Sequence, residues 1–200
     1  MIGHECGHGA FSSSNLINDA VGFVLHHLLL VPYFAWQYTH AKHHRRTNHL
    51  VDGESHVPST AAENGLGPNN ERLSFYAAWH EAMGDGAFAV FQIFTHLVLG
   101  WPLYLMGFAS TGRLAANGQP AKQLMDHFRP WSPMFPAKMR FKIAVSSIAF
   151  AGSLFLLTNL CLRFGVLPVF LWYGLPYIWV NSWLVLYTWL QHTGKTRLEK

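Results

Sequence analysis

Residues 143–162 run without a single charged side chain, about the length of helix that crosses a hydrocarbon core roughly 30 Å thick. In that solvent every backbone N–H and C=O must be bonded internally, so a single segment can cross only as a helix. A turn at Arg163-Phe164-Gly165 follows, and residues 166–190 stay apolar for a second crossing despite Pro168, Gly174, Pro176 and Asn181. Residues 143–190 are therefore expected to form a transmembrane helical hairpin. The rest of the chain suits the same solvent: 50% of residues are hydrophobic and only 12% charged, against about a quarter charged in a soluble domain. The fold class expected is all-α, a multi-pass integral membrane protein.

Residues 16–36 are apolar but contain Asp19, His26, His27 and Pro32, and read as a buried or in-plane helix. Residues 52–85, with Asp52-Gly53, the run from Asn64 to Asn70 and Gly84-Asp85-Gly86, read as a solvated loop. Residues 87–110 are apolar again, and Gly100 and Pro102 make them a candidate re-entrant or in-plane segment. Positive charge collects in two places, Lys42, Arg45 and Arg46, and the linker 111–142 with Arg113, Lys122, Arg129, Lys138, Arg140 and Lys142. Both are expected on the cytoplasmic side. The hairpin would then return His192, followed by Lys195, Arg197 and Lys200, to that same face. A net charge of +4 spread in short stretches suits membrane orientation and gives no nucleic-acid surface. Cys6 and Cys161 have no partner at a metal or redox spacing, so no disulfide framework is expected. No signal peptide pattern leads into the first motif, so either insertion relies on internal segments or sequence upstream of Met1 is missing.

Thirteen histidines are the strongest chemical signal. His4-Glu5-Cys6-Gly7-His8 places two imidazoles at i and i+4, stacked on one helix face and able to converge on a metal ion. His40-Ala41-Lys42-His43-His44 adds three more at i, i+3 and i+4. Five nitrogen donors exceed the four that a structural zinc takes, which points to two metal ions. Imidazole alone does not choose among iron, copper, zinc and nickel. His26, His27, His80, His96 and His127 stand singly or in a pair and read as hydrogen-bonded core or loop residues, with His49 and His56 intermediate. One competing motif is explicit: His4-Glu5-x-x-His8 is also a zinc metalloprotease pattern with Glu5 as general base, but it leaves His40, His43 and His44 without a role.

Longer stretches carry a resemblance. The first box His4-Glu5-Cys6-Gly7-His8-Gly9-Ala10-Phe11, the approach Val31-Pro32-Tyr33 through Trp36 to His40-x-x-His43-His44, Gly100-Trp101-Pro102-Leu103-Tyr104-Leu105, His127-Phe128 leading to Ser132-Pro133-Met134-Phe135, and Gly174-Leu175-Pro176 through Val180-Asn181 to Leu190-Gln191-His192-Thr193 together resemble the membrane fatty acid desaturases. The likeness is to the oleate (delta-12) and omega-3 group, its fungal members above all, and covers residues 3–193. It implies one partial desaturase domain over 1–193: residues 1–58 carry boxes one and two with the in-plane helix, 87–110 the re-entrant segment, 143–190 the hairpin, and 194–200 an atypical polar tail. It further implies an endoplasmic reticulum enzyme with two iron ions held by His4, His8, His40, His43 and His44, with His192 a further candidate ligand. Dioxygen, electrons from cytochrome b5 and its reductase, and a fatty acyl lipid or acyl-CoA substrate complete the reaction, and an apolar channel would select the carbon by positioning. Hydroxylases, acetylenases and epoxygenases of the same group share these boxes. The family's third His-x-x-His-His box does not occur before Lys200, so the chain alone is expected to be an inactive fragment or a non-catalytic membrane protein that binds lipid.

Overall fold

The computed structural model describes residues 1–47, 49, 75–108, 112 and 114–192. Most of the loop expected over 52–85, with His56, and the tail 194–200 lie outside the described residues, as does the His192 side chain.

The described residues are helical: α1 (Ile2–Gly7), α2 (Asn15–Leu28), α3 (Tyr33–Arg45), α4 (Phe75–Leu105), α5 (Arg140–Phe164), α6 (Val166–Val169) and α7 (Leu175–His192). A 3-10 turn, Ala137–Met139, leads into α5, and a π-helical turn, Phe170–Gly174, joins α6 to α7. Among the described residues there is no strand, only an isolated bridge between Leu114 and Pro120. Three stretches, Ala77–Leu105, Ala137–Phe164 and Val166–Gln191, are long and apolar enough to cross a membrane, and at most 11% of each such window is buried inside the protein. Their large apolar side chains, such as Phe155 and Trp172, therefore face outward, where hydrocarbon is the compatible solvent.

Residues 87–110, expected as a re-entrant or in-plane segment, are helical through Gly100 and Pro102 as far as Leu105. Pro102 falls in the last turn, where its missing N–H takes one bond out of the ladder, and the helix ends three residues later at Leu105. The break falls earlier, at Gly84, whose φ of 73° and ψ of 165° suit a residue without Cβ. α4 rests on α7 through the Ser182 hydroxyl, which donates to the Leu97 carbonyl at 3.1 Å, and through the His96 and Trp189 rings, 4.8 Å apart.

α2 and α3 meet at 105°, and each, at 14 and 13 residues, is about 20 Å long, too short to cross alone. The bend passes through Leu30 at φ 54° and Pro32 before α3. The corner is locked from inside. Tyr33 is fully buried, and its hydroxyl lies within 3.4 Å of the Cys6 carbonyl, the Asn18 carbonyl and an Asp19 carboxylate oxygen. Gln37 donates to both the Tyr33 hydroxyl and Asp19. α5 closes the other side: the Ser146 hydroxyl accepts the Phe34 N–H at 3.0 Å, and the Ser146 carbonyl accepts from His27 Nε2 at 3.0 Å.

The linker between α4 and α5 is pinned by His127, which is fully buried. Its Nδ1–H donates to the Leu105 carbonyl at 3.2 Å, so Nε2 carries the lone pair that accepts from the Thr39 hydroxyl at 3.1 Å. Burial holds its pKa down at about 4. Above pH 6.5 the imidazole is neutral in both folded and unfolded chains. As pH falls from 6.5 towards 4 only the unfolded chain takes the proton, and folded stability drops by up to about 1.4 kcal/mol per pH unit from this group. The apparent melting temperature in detergent is therefore expected to fall between pH 6.5 and 4.5, and to fall less steeply in His127→Gln.

Candidate metal centre

α1 is a short helix whose neighbours shape it. A Cβ on Gly7 would meet the Trp36 ring at 2.4 Å, and one on Gly3 would meet His26 at 3.2 Å. The absent side chains let α1 lie against α2 and α3, bringing His4 and His8 over the C-terminal half of α3. On α3, Trp36, His40 and His44 follow at intervals of four and share one face.

The four imidazoles converge through the same atom. His40 Nε2 lies 2.9 Å from His4 Nε2, 3.1 Å from His8 Nε2 and 3.1 Å from His44 Nε2, and the His4 and His8 Nε2 atoms are 3.3 Å apart. One ligand atom from each residue lies within 4.8 Å of all the others. Metal–imidazole bonds of about 2.1 Å place neighbouring nitrogens roughly 3.0 Å apart in an octahedron and roughly 3.4 Å apart in a tetrahedron, and the observed spacings fall in that region. The donor chemistry fits as well. Burial first, then the neighbouring imidazoles, pushes the His40 pKa down to about 3, and burial also lowers that of His8, so these rings meet a cation as neutral donors.

Two contacts orient the rings. Glu5 Oε1 accepts from His4 Nδ1–H at 2.9 Å, which leaves His4 Nε2 unprotonated and aimed at the cluster, the carboxylate–histidine arrangement found behind metal ligands. That hydrogen bond holds the Glu5 carboxyl below its usual pKa. Trp36 stacks on His40 at 4.6 Å with the planes 17° apart, and the His26 ring packs against Trp36 with centroids 4.2 Å apart.

His43 sits beside the cluster, its ring centroid 6.3 Å from that of His40 and 5.7 Å from that of His44. His192 closes α7. His26, His80 and His96 each hydrogen-bond within their own helix or turn, to the Gly22 carbonyl, to Asp85 and to the Gln92 carbonyl respectively. Sequence reasoning missed the supporting parts. Trp36 carries the signal of its spacing of four before His40 and Glu5 that of its place next to His4; His127 is the hydrogen-bonded core residue expected, but its partner Thr39, distant in sequence, could not be read from it.

Glu5 engages the far nitrogen of His4, and a third and fourth histidine complete the group. A two-histidine protease site with Glu5 as its base does not describe this arrangement. The fatty acid desaturase family model matches residues 1–200. The chain belongs to the fatty acid desaturase family. Similar relatives include a delta(12) fatty acid desaturase of Mortierella isabellina, 35% identical over 96% of this chain and 48% of the relative, and an oleate hydroxylase of Claviceps purpurea, 35% identical over 98% of this chain and 42% of the relative. An omega-6 fatty acid desaturase, endoplasmic reticulum isozyme 2, of Glycine max is 35% identical over 96% of this chain and 45% of the relative. The chain thus spans about half the length of the relatives it matches. No solved structure matches it.

In this desaturase-family chain, Gly7→Ala tests the packing beneath the centre. The new methyl must displace Trp36, and Trp36 carries His40. Overpacking of this kind costs about 1–3 kcal/mol, and metal affinity is expected to fall on the order of tenfold, the lower range for a disturbed support of a ligand. Chelator competition on the purified chain reads it.

Proposed function

We propose that this chain supplies part of the iron centre of an oxygen-dependent fatty acyl desaturase of the delta-12 type, which converts an oleoyl to a linoleoyl chain. The observation that carries it is the convergence of His4, His8, His40 and His44 Nε2 at 2.9–3.3 Å in a chain of this family. Those four would hold one iron. His43, adjacent to the cluster, would serve the second, with His192 a further ligand. When bound, the diiron centre supplies the oxidation by dioxygen, and a pair of electrons from cytochrome b5 and its reductase with a pair of protons balances the loss of two hydrogens from the acyl chain against the formation of water.

The protein's own residues set up the site. Glu5 and Trp36 fix the His4 and His40 rings, and His127 ties the linker to α3 one residue before His40. The apolar helices position an acyl carbon by shape, which requires no polar recognition of a methylene. Lys42, Arg45 and Arg46 adjoin the histidines on α3, favouring a cytoplasmic face within the endoplasmic reticulum membrane, where a soluble electron-donor domain has access.

Oleate hydroxylases match this chain as well as the desaturases do, so hydroxylation is the second reading. One experiment addresses both. Yeast cells fed labelled oleate would express the chain with a second segment carrying a His-x-x-His-His box, and their lipids would be analysed by mass spectrometry. Labelled linoleate, lost in His40→Ala, is expected. Labelled hydroxyoleate would make it a hydroxylase, and neither product would refute both readings.

A further inference from the structure

Aromatic rings run in contact from the histidine cluster into the corner between α2 and α3. Trp36 stacks on His40 with centroids 4.6 Å apart and lies 6.1 Å from the His4 ring. The next ring, His26, is 4.2 Å from Trp36, and Tyr33 is 5.1 Å from His26. Packed aromatic rings have centroids about 4.5–7 Å apart, so no gap interrupts the series. It is shielded from water: Trp36 and His26 are each 8% exposed and Tyr33 is fully buried. Gly22 makes room at the far end, since a Cβ there would lie 2.5 Å from the Tyr33 ring.

Indole and phenol give up a single electron more readily than most side chains. Electron tunnelling falls off exponentially with distance, so rings in contact pass an electron faster than the same span of aliphatic protein. A phenol does so readily only if its proton leaves as well, and Tyr33 has an acceptor. Its hydroxyl lies 3.3 Å from Asp19 Oδ1, within the reach of a proton transfer in a resting site. Gln37 Nε2 donates to the Tyr33 oxygen at 3.1 Å and to Asp19 Oδ1 at 3.2 Å, and so stays to bind the phenolic oxygen once its proton has gone. The Cys6 and Asn18 carbonyls, at 3.3 and 3.4 Å, accept a hydrogen bond but are too weakly basic to take the proton. The Asp19 side chain is 29% exposed and 3.5 Å from Lys142 Nζ, which gives the proton an exit to solvent.

We infer that Trp36, His26 and Tyr33 form a one-electron relay that drains oxidising power from the metal centre when no acyl chain is present, with Tyr33 as the end that becomes a radical. The inference rests on the desaturase reading above, which supplies the oxidant, dioxygen. Reduction of dioxygen to two waters takes four electrons and four protons, and in desaturation the acyl chain provides two of each. In its absence Trp36 loses one electron toward His40, and Tyr33 refills Trp36 through the His26 ring. The Tyr33 O–H bond breaks, its proton passes to Asp19, and a neutral tyrosyl radical remains. The second electron, and the electron and proton that later restore Tyr33, come from an external one-electron donor of the thiol or ascorbate class. Without such a relay the metal-holding imidazoles are the groups most exposed to oxidation, and suppressing that side reaction is its use.

The test is electron paramagnetic resonance on the detergent-purified, iron-loaded chain, frozen seconds after addition of peracetic acid, a two-electron oxidant, with no acyl lipid added. An organic radical is expected, its lines narrowed when the chain is grown on ring-deuterated tyrosine. It should be absent from Tyr33→Phe and weaker in Trp36→Phe and Asp19→Asn, compared at equal iron content. Peptide mass spectrometry of the same samples should find more oxygen added to His4, His8, His40 and His44 in Tyr33→Phe than in the parent. If Tyr33→Phe does not hold iron, the isotope narrowing in the parent and the loss in Trp36→Phe decide. No radical from the loaded parent, a radical indifferent to tyrosine deuteration, or one unchanged in Tyr33→Phe would overturn the relay. If the labelled-oleate experiment yields no product while the Tyr33 radical forms, the relay stands and the desaturase reading fails. Labelled linoleate without the radical would leave that reading and remove the relay.

Discussion

Exchange of His40 for alanine is expected to weaken metal binding by roughly a hundredfold or more. Its Nε2 is in contact with all three of the others, at 2.9, 3.1 and 3.1 Å, so it occupies the middle of the donor set. Structural metal sites with four protein ligands contribute about 10–16 kcal/mol, or about 3 kcal/mol per ligand when shared evenly, and about 1.4 kcal/mol is a factor of ten. The variant also removes the ring stacked on Trp36, leaving a gap beside α1. Competition with a chromophoric chelator reads the affinity, and circular dichroism in detergent separates loss of metal from loss of helix. An affinity within a fewfold of the parent would mean that the His40 contacts do not represent coordination.

The largest effect on folding is expected from Gly107→Ala. Gly107 has φ 83°, and a Cβ there would lie 2.4 Å from the Met125 carbonyl oxygen. The obstacle is backbone, which cannot swing aside as a side-chain tip can, and the conformation itself disfavours alanine. A non-glycine residue at such an angle costs on the order of 1–3 kcal/mol, and the clash adds to it. Gly107 follows α4 and precedes the segment in which the His127 N–H bonds to the Leu105 carbonyl at 2.9 Å, so the alanine should push His127 off Thr39 and loosen α3 behind the metal centre. A clear drop in the apparent melting temperature, with a smaller drop in metal affinity, is the expected pattern. Gly9→Ala is the comparison, since Gly9 has φ 71° but nothing within 4 Å of a Cβ. It should show the conformational cost without the clash.

Much of this was legible in the residues, for identifiable reasons. The charge-free run at 143–162 had one physical solution in a bilayer, and α5 follows it. The spacings His4/His8 and His40/His44 are helical, so convergence within each pair could be read directly. That the pairs meet could not be read from spacing, because it depends on the 105° bend between α2 and α3 and on the space left by Gly7 and Gly3. The same limit explains 87–110. Gly100 and Pro102 are helix-weakening by local rule, yet the helix runs through both as far as Leu105, with Gly100 facing Val185 of α7, where a Cβ would make an ordinary van der Waals contact. His127 shows the limit most plainly, since a lone histidine gains its meaning only from Thr39 and Leu105.

The most direct measurement is X-ray absorption at the iron edge on the detergent-purified chain loaded with one equivalent of iron(II), compared with His40→Ala/His44→Ala. A shell of about four nitrogens at roughly 2.0–2.2 Å with the outer-shell scattering of imidazole rings, lost in the variant, is the expected spectrum. A shell of oxygen alone, or the same spectrum from parent and variant, would show that the four histidines do not form a metal centre.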